Sequence, residues 1–371
     1  MKVRLPRRLR GPVAVAALAV LVTVALAGVV LMLGGYDPIR AAGAMLRGAA
    51  GTPSALFSVT LVRAVPLILT GLAVALAFRA GVWNIGAEGQ LYAGAIGAVW
   101  VGLHTGGWPA PLGVVAVLAA AVLGGASWAA VPALMRVRLG VGEVITTILM
   151  NFVGIHLAAY VVRGPLQEAR GVFPQTDAIA ASARLGVLLP GTRLHAGFGL
   201  AVLLAVGVAA FLWKTRAGFR VRAVGASAGA ARVAGRIDTD RVWMRTFLVS
   251  GAIAGIAGGV QVAGVTFALY EGLSPGWGYT AIAVALLAGL HPIGVLVTGA
   301  LFGALEGGAS AMQREAGVPS AWVGVVQALV ILSVIALDRL RRRGLDTLVP
   351  ESGADVAAVA PGRTGGEGSG G

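Results

Sequence analysis

The sequence predicts an all-α fold, a polytopic transmembrane helical bundle. Hydrophobic residues make up 57% of the 371 residues and charged residues only 12%. The mean hydropathy is +0.87, whereas an average soluble domain carries about 25% charged residues. The apolar residues also fall into runs of about 20, the length of helix that crosses a hydrocarbon core of about 30 Å. These observations predict an integral membrane protein.

Eight apolar runs predict full spans, and one further stretch predicts a short pair. The stretch 279–308 is too long for one straight helix and short for two full ones. It contains Pro292 after His291, and proline lacks the amide hydrogen that continues a helix. We therefore predict a split at this pair and about ten spans in total. The eight full runs are 12–33, 61–78, 85–103, 112–131, 144–163, 196–213, 246–269 and 321–337.

The distribution of lysine and arginine predicts the orientation of the bundle. With the N-terminus inside and the tail 344–371 left aside, twenty of these residues fall in cytoplasmic segments and eight in external ones, which agrees with the cationic bias of cytoplasmic loops. Both termini are then cytoplasmic, so the number of spans is even. Ten spans satisfy this condition, and so do eight if the short pair is re-entrant.

Three regions follow from this reading. Residues 1–11 are a basic cytoplasmic N-terminus, and 12–343 form the transmembrane domain with a long cytoplasmic connection at 214–245. Residues 344–371 are rich in Gly, Ala and Ser and predict a disordered cytoplasmic tail. The first apolar run is longer than the core of a signal peptide, which favours a retained anchor.

Composition excludes several classes of function. The chain has no cysteine, and its four histidines lie too far apart for a two-histidine zinc motif. Neither Lys2 nor Lys214 ends a G-x-x-x-x-G-K-[ST] phosphate loop, so any ATP must be bound by another chain. The net charge of +14 comes from arginines scattered between apolar runs rather than from one basic face. We predict no catalytic residue, no metal site, no cofactor bound by this chain and no nucleic-acid partner.

Polar residues interrupt the apolar pattern in the segment 79–90. This segment contains Asn84, Glu88, Gln90 and three glycines that weaken a helix. Irregular backbone is tolerated at membrane depth only beside protein or a water-filled cavity. Two interpretations remain open: the polar residues line a solute path, or Glu88 pairs with Arg79 and fixes a turn at the membrane interface.

A second polar group lies in the run that begins near 144. Glu143, Thr147 and Asn151 are spaced four residues apart and therefore share one face of a helix. Asn151 lies about two turns inside the span, where it either faces a translocation path or joins two helices by a hydrogen bond. Three isolated polar residues in other apolar runs are weaker candidates: Gln261, Glu306 and Gln327.

The connection 214–245 is the third unusual feature. Its centre predicts a short helix over about 227–234, with Ser227 as a possible N-cap and Gly235 as a stop. The surface of this helix is small and apolar and is flanked by arginines. It is suited to a groove on a cytoplasmic partner, although an ordinary basic loop would have the same composition.

At these three places the sequence resembles the permease subunits of ATP-binding-cassette (ABC) importers. The group includes branched-chain amino acid, simple-sugar and nucleoside permeases, and the resemblance covers about 60–337. The usual asparagine–proline pair before the loop helix is replaced here by Ala226 and Ser227. The motifs are most similar to those of the nucleoside and simple-sugar branch: FRAGVWNIGAEGQ at 78–90, GEVITTILMN at 142–151, SGAIAGIAGG at 250–259 and GYTAIAVALLAG at 278–289.

The resemblance implies a set of partners. The loop helix would dock into an ABC ATPase, which binds ATP and Mg²⁺, and would transmit its closure to the membrane helices. An extracytoplasmic solute-binding protein would deliver cargo, and a second permease subunit would complete the pore in a bacterial-type inner membrane. From their charge, Arg163 and Arg170 are candidates to pair with acidic groups on the binding protein, although an ordinary solvated loop would explain these charges as well. The residues that take the coupling role are Ala230, Ala231, Ala234, Gly235 and Ile237.

We therefore predict a permease subunit that imports a small polar solute, with nucleosides favoured. A simple sugar or a branched-chain amino acid is the alternative cargo within the same group. An ion-coupled secondary transporter would also explain a broken helix, and a passive channel would need no docking helix. The residues predicted to line the substrate path are Asn84, Glu88, Gln90, Thr147 and Asn151.

Overall fold

The computed structural model describes residues 12–233, 235–319, 321–322, 324–329 and 332–333. Residues 29–327 form one compact unit, and 1–28 with 328–371 are grouped in a second. In the second unit the described residues 12–28, 328–329 and 332–333 are helical. The predicted terminal segments 1–11 and 344–371 lie outside the described residues, as do seven of the seventeen residues of the predicted span 321–337.

The described residues are organised as twelve α-helices and no named strand, which confirms the all-α fold class. Two of the longer helices carry one π-helical segment each, at Ala55–Thr60 before α3 and at Val262–Thr266 after α10. The helices are α1 Pro12–Leu33, α2 Pro38–Ala50, α3 Leu61–Arg79, α4 Ala87–Leu103, α5 Ala110–Leu139, α6 Glu143–Arg163, α7 Gly197–Lys214, α8 Arg216–Ala226, α9 Ala228–Val233, α10 Thr239–Gln261, α11 Trp277–Leu287 and α12 Pro292–Ala316.

Six helical stretches among the described residues are long and apolar enough to cross a membrane. They contain α3, α5, α6, α7, α10 and α12. We name the two ends of the bundle after their arginines: the Arg79 end holds the last turns of α3 and α7, and the Arg163 end holds the last turns of α4 and α6. The chain is thus a multi-pass membrane protein.

The stretch 279–308 is broken where proline predicts it. α11 ends at Leu287, and α12 begins at Pro292, whose preceding residue His291 caps the helix by accepting the Gly294 N–H at 3.4 Å. The prediction of two short helices is wrong in one respect, because α12 has 25 residues and is long enough to span. α11 has only 11 residues, which is about 16 Å or half the hydrocarbon thickness.

The centre of the bundle is α10, which packs against α3, α4 and α5. The hydrophobic effect contributes little to helix association within lipid, so the helices gain stability from close backbone approach at small residues. A β-carbon on Gly255 would lie 2.2 Å from the carbonyl oxygen of Ala121, and one on Gly94 would lie 2.3 Å from that of Gly255. The glycines of the 251–259 region thus allow the close approach of α10 to α4 and α5.

Helix α2 was not predicted from the sequence. Asp37 caps it by accepting the N–H groups of Ile39 at 2.9 Å and Arg40 at 3.2 Å. Its buried face is made of alanines packed against α12, and Arg47 pairs with Glu315 at 2.7 Å. A 13-residue helix whose buried face is alanine contributes no 20-residue hydrophobic run, so the apolar pattern of the sequence does not indicate it.

The long connection between α6 and α7 covers the Arg163 end. Its backbone N–H groups at Thr176, Ile179 and Leu185 donate to the carbonyls of Leu269, Phe267 and Ala263, at 2.8–2.9 Å. This connection therefore fixes the residues that follow α10. Phe267 has a left-handed backbone, with φ +56°, and turns the chain back toward the bundle centre.

Candidate functional site

The segment between α3 and α4 leaves the helical path inside the protein. Gly81 adopts a left-handed φ of +73°, and Val82 to Ile85 follow without helix. Extended backbone within a span must find hydrogen-bond partners in the protein, since lipid offers none. The predicted polar residues supply those partners.

Asn84 and Gln90 form a reciprocal amide pair. Asn84 donates to the Gln90 side-chain oxygen at 3.1 Å and accepts from the Gln90 amide at 3.0 Å. Asn84 also donates to the Ser250 hydroxyl at 2.9 Å, which in turn donates to the Ala73 carbonyl at 2.7 Å. The Asn84 side chain is 0% exposed, so this pair joins α3, α4 and α10 in the core.

Thr147 and Asn151 connect α6 to the same segment. Asn151 donates to the Ile85 carbonyl and accepts from the Gly89 N–H, both at 2.8 Å. The Thr147 hydroxyl accepts from the Ile85 N–H at 3.3 Å. Glu143, Thr147 and Asn151 are all buried, which confirms that they share one face. Of the two interpretations of Asn151, the structure shows the hydrogen bond between helices.

Glu88 does not pair with Arg79, so that interpretation of the segment is wrong. The Glu88 carboxylate accepts the Gly278 N–H at 2.6 Å and thereby ties the start of α4 to the start of α11. Arg79 instead donates to the carbonyls of Gly289 at 3.2 Å and Leu290 at 3.1 Å. Arg79 thus secures the turn between α11 and α12.

Glu143 anchors the segment from the Arg79 end. It accepts the Trp83 N–H at 3.3 Å and forms a short ion pair with Arg136. The Arg136 guanidinium lies 4.2 Å from the ring centroid of Trp243, whose indole N–H donates to the Ala80 carbonyl at 3.2 Å. The whole break is therefore held by α5, α6 and α10.

A cavity of about 430 Å³ lies toward the Arg163 end, and none of the five predicted path residues lines it. It is lined by two aromatic side chains, Trp277 and Tyr270, and by five polar ones that come from distant parts of the chain: Ser58, Arg63, Arg193, Gln261 and Glu306. Trp277 donates its indole N–H to the Glu306 carboxylate at 3.2 Å. Arg63 donates to the Glu306 carbonyl at 3.1 Å and to Ser310 at 3.3 Å.

Two residues of α4 hold the floor of this cavity in place by hydrogen bonds. Gly278 follows Trp277 and is bound by Glu88. The Tyr92 hydroxyl accepts the Ser274 N–H at 3.1 Å. Sequence reasoning placed Gln261 and Glu306 among weaker candidates because each stands alone in its own apolar run. Only the packing of α10, α11 and α12 brings them together.

The connection 214–245 contains two helices at the Arg79 end. α9 covers Ala228–Val233, and Ser227 caps it as predicted, with its hydroxyl accepting the Ala230 N–H at 3.2 Å. α9 ends before Gly235, the predicted stop, and the left-handed residue that follows is Arg236, with φ +48°. Ala234 lies outside the described residues. Helix α8, which precedes α9, was not predicted.

The five predicted coupling residues do not share one exposed face. Ala231 is only 7% exposed, and its carbonyl accepts the Ile237 N–H at 3.1 Å. Ala230 and Gly235 are exposed, and Ile237 is partly buried. Val233 is 83% exposed. The apolar surface that α9 presents outward is thus Ala230 and Val233, while Ala231 holds the helix to the bundle.

The two arginines predicted to dock a partner differ in their pairing. Arg163 donates to Glu271 at 2.5–2.9 Å, whereas Arg170 is exposed and makes no side-chain hydrogen bond or ion pair among the described residues, although its charge acts on Glu168. Glu168, between them in sequence, accepts from the Gln175 side chain at 2.7 Å and the Phe173 N–H at 2.9 Å. The bonds from Gln175 and Phe173 hold the pKa of Glu168 below its ordinary value.

Comparison with known proteins identifies the family. The family described as the permease component of the branched-chain amino acid transport system matches residues 56–335. A glucose ABC transporter permease of Haloferax volcanii is 38% identical, over 93% of each chain. A guanosine ABC transporter permease of Bacillus subtilis is 36% identical, over 87% of this chain and 93% of its own. A nucleoside ABC transporter permease of Lactococcus lactis is 33% identical, over 83% of this chain and 87% of its own.

No solved structure matches the chain. The family match covers more than half of the chain, and the relatives cover nearly all of it. In ABC systems of this kind the ATPase is a separate subunit. The chain therefore belongs to the permease-component family of branched-chain amino acid transport systems, as a membrane-spanning transport subunit of an ABC importer.

Proposed function

We propose that this permease imports nucleosides and that the cavity toward the Arg163 end receives them. The observation that carries the proposal is the combination of Trp277 and Tyr270 with Gln261 and Glu306 around about 430 Å³. A nucleoside presents a flat base and a ribose with hydroxyl groups. An aromatic face stacks on the base, and amide and carboxylate oxygens accept hydrogen bonds from hydroxyls and base edges.

The relatives support two classes of cargo. Two of the three are named for guanosine or nucleosides and one for glucose. A simple sugar would use Gln261 and Glu306 in the same way, but it needs no stacking on a large ring. The two aromatic residues favour a nucleoside, and a simple sugar is the second candidate. A branched-chain amino acid, after which the family is named, ranks third.

The five predicted path residues act in this proposal as the support of the path. Asn84, Gln90, Thr147 and Asn151 hold the broken segment, and Glu88 holds the cavity floor through Gly278. A solute that moves from the cavity toward the Arg79 end must pass between α4, α10 and α11. The buried network would then open when the helices move, as alternating access requires.

The energy for that movement comes from a partner ATPase that binds ATP and Mg²⁺. We place the Arg79 end in the cytoplasm, because the cationic residues concentrate there. The ATPase would grip α9 at Ala230 and Val233. Both chain termini would then be cytoplasmic, in a bundle of about ten spans in the inner membrane of a bacterial-type cell.

At the opposite end a solute-binding protein would dock near Arg170 and the Arg163–Glu271 pair. Exposed charges at the rim of an interface mainly steer association. A second permease subunit, identical or homologous, would complete the path. The alternatives of an ion-coupled transporter and a passive channel lose support, because the named relatives are all ABC permeases.

The test is solute-stimulated ATP turnover by the complex in proteoliposomes, with the binding protein present. We expect guanosine or another nucleoside to stimulate turnover, and glucose and leucine to have no effect. Replacing Trp277 by Leu removes a stacking surface worth about 1–3 kcal/mol per base, and should raise the half-saturating nucleoside concentration about tenfold or more. Trp100→Leu is the matched control, since Trp100 is an exposed residue of α4.

A second variant separates ATP-driven from ion-coupled import. Glu306→Gln keeps a hydrogen-bond acceptor for Trp277 but removes the proton-binding carboxylate. We expect ATP-dependent uptake to persist in this variant. If glucose but no nucleoside stimulates ATP turnover, the cargo is a sugar and the nucleoside proposal is wrong. Uptake that continues without the ATPase would contradict the ABC mechanism.

A further inference from the structure

A second, larger groove lies at the Arg79 end, between α7, α8 and α10, with a volume of about 780 Å³. Its wall is apolar and its mouth is cationic. Representative wall residues are Leu76, Leu204, Val208, Phe211, Leu248 and Ile253. The four arginines of the mouth are Arg220, Arg236, Arg241 and Arg245.

The depth of the groove equals about one leaflet of a bilayer. Leu204 lies ten residues before Lys214, at the end of α7, which is about 15 Å along the helix axis. Ile253 lies eight residues beyond Arg245 on α10, which is about 12 Å. Half of a hydrocarbon core is also about 15 Å. The groove therefore runs from the charged end of the bundle to about its middle.

The charge at the mouth is not neutralised by the protein. Asp238 also lines the groove, and it forms an ion pair with Arg241 at 3.4 Å. Arg220, Arg236 and Arg245 are exposed, and their side chains have no hydrogen-bond or ion-pair partner among the described residues. Three free cations thus surround the opening of an apolar slot.

We propose that a single anionic phospholipid occupies this groove. Its phosphate would bind the arginines at the mouth, and one acyl chain would lie along the wall between α7 and α10. Basic pockets between membrane helices recognise anionic headgroups in this way. A polar solute finds no hydrogen-bonding groups on the deep wall, and a non-helical docking segment of a cytoplasmic protein would have to bury its backbone at membrane depth, where unpaired N–H and C=O groups are costly.

The bound lipid would contact three parts of the connection 214–245, which is the part of the chain that we propose binds the ATPase. Arg220 lies on α8, Arg236 follows α9, and Arg245 lies in the second turn of α10. One phosphate bound to all three would hold the connection against the spans. This inference goes beyond the proposed cargo and does not depend on which solute is carried.

The experiment measures lipid binding to the purified full chain by native mass spectrometry and by thermal unfolding in detergent. The probes are phosphatidylglycerol and phosphatidylcholine with identical acyl chains, and glycerol phosphate as the headgroup alone. We expect one phosphatidylglycerol to remain bound, to raise the unfolding temperature and to bind at least tenfold more tightly than phosphatidylcholine. Glycerol phosphate should not displace it.

The double variant R220Q/R245Q should weaken phosphatidylglycerol binding about 30-fold, since each cation near anionic lipid is worth about 1 kcal/mol. The matched control R138Q/K214Q removes two exposed cations of the same end that do not line the groove, and should bind as the unmodified chain does. Val208→Trp fills the wall and should reduce binding of both lipids. Equal affinity for the two lipids, equal loss in both double variants, or displacement by glycerol phosphate would each overturn the proposal.

Discussion

The side-chain amide of Asn151 on α6 bonds both the broken segment and the first turn of α4, donating to the Ile85 carbonyl and accepting from the Gly89 N–H at 2.8 Å each. One residue thus satisfies two backbone groups that have no helical partner. Asn151 is 0% exposed, so water cannot replace it. The break between α3 and α4 depends on this side chain as much as on its own glycines.

Replacing Asn151 should therefore affect stability as well as transport. Asn151→Leu keeps the branched shape and the number of side-chain heavy atoms but leaves a buried N–H and a buried C=O unpaired, at a cost of about 1–3 kcal/mol for each group. We expect a lower unfolding temperature in detergent together with reduced uptake. Asn151→Asp keeps the acceptor for Gly89 and should lose less. Leu149→Ala, on the exposed face of α6, is the control, and an unchanged unfolding temperature for Asn151→Leu would refute the account.

The contact of α10 with α5 predicts a second effect. Gly255→Ala places a methyl group 2.2 Å from the Ala121 carbonyl oxygen, which forces the helices apart and should cost about 1–3 kcal/mol. Gly199→Ala on α7 meets no atom within 4 Å, so it should be neutral or slightly stabilising. The measurement is thermal unfolding of both variants in the same detergent, and equal unfolding temperatures would contradict the packing described.

The sequence predicted those features that depend on neighbouring residues. The spacing of Glu143, Thr147 and Asn151 predicted their common face, and Pro292 predicted the break before α12. The cavity could not be predicted, because Arg63, Gln261 and Glu306 are brought together only by packing between distant helices. Arg236 could not be identified as the left-handed residue, since Gly235 beside it has the stronger intrinsic preference.

Two substitutions in α9 should separate coupling from folding. Val233→Asp adds a carboxylate to an exposed position and should leave thermal stability unchanged, while lowering ATP turnover coupled to transport about tenfold, because the charge would be buried against the ATPase. Ala231→Asp buries an unpaired charge within the permease and should lower both the thermal stability and the ATP turnover coupled to transport. Phe173→Asp, at an exposed position of the other end, controls for the added charge. Normal coupling in Val233→Asp would remove α9 from the ATPase contact.

The burial of His195 predicts that the protein loses stability in acid. It lies in the connection before α7, is 1% exposed and has no partner for Nε2 among the described residues. Burial lowers its pKa from 6.5 to about 4, so protonation favours the unfolded chain. Neutral His195 therefore makes its full contribution to the free energy of unfolding above about pH 6.5. This contribution falls as the pH drops toward 4, by at most about 3 kcal/mol.

The measurement is the unfolding free energy between pH 7 and pH 4. His195→Asn keeps an acceptor for the Gly197 N–H and removes the titration, so this variant should have a flatter profile than the unmodified chain. His104→Asn is the control, because His104 is exposed. Profiles that coincide for all three proteins would exclude His195 as the source.

The central claim is that a cytoplasmic ATPase binds α9, so the side of the membrane on which α9 lies is the most direct test. The chain contains no cysteine, so Val233→Cys and Phe173→Cys each carry a single thiol. A membrane-impermeant maleimide should label Phe173→Cys in intact cells, and Val233→Cys only in inverted vesicles, with protection once the ATPase is bound. Labelling of Val233→Cys from outside intact cells would contradict the account.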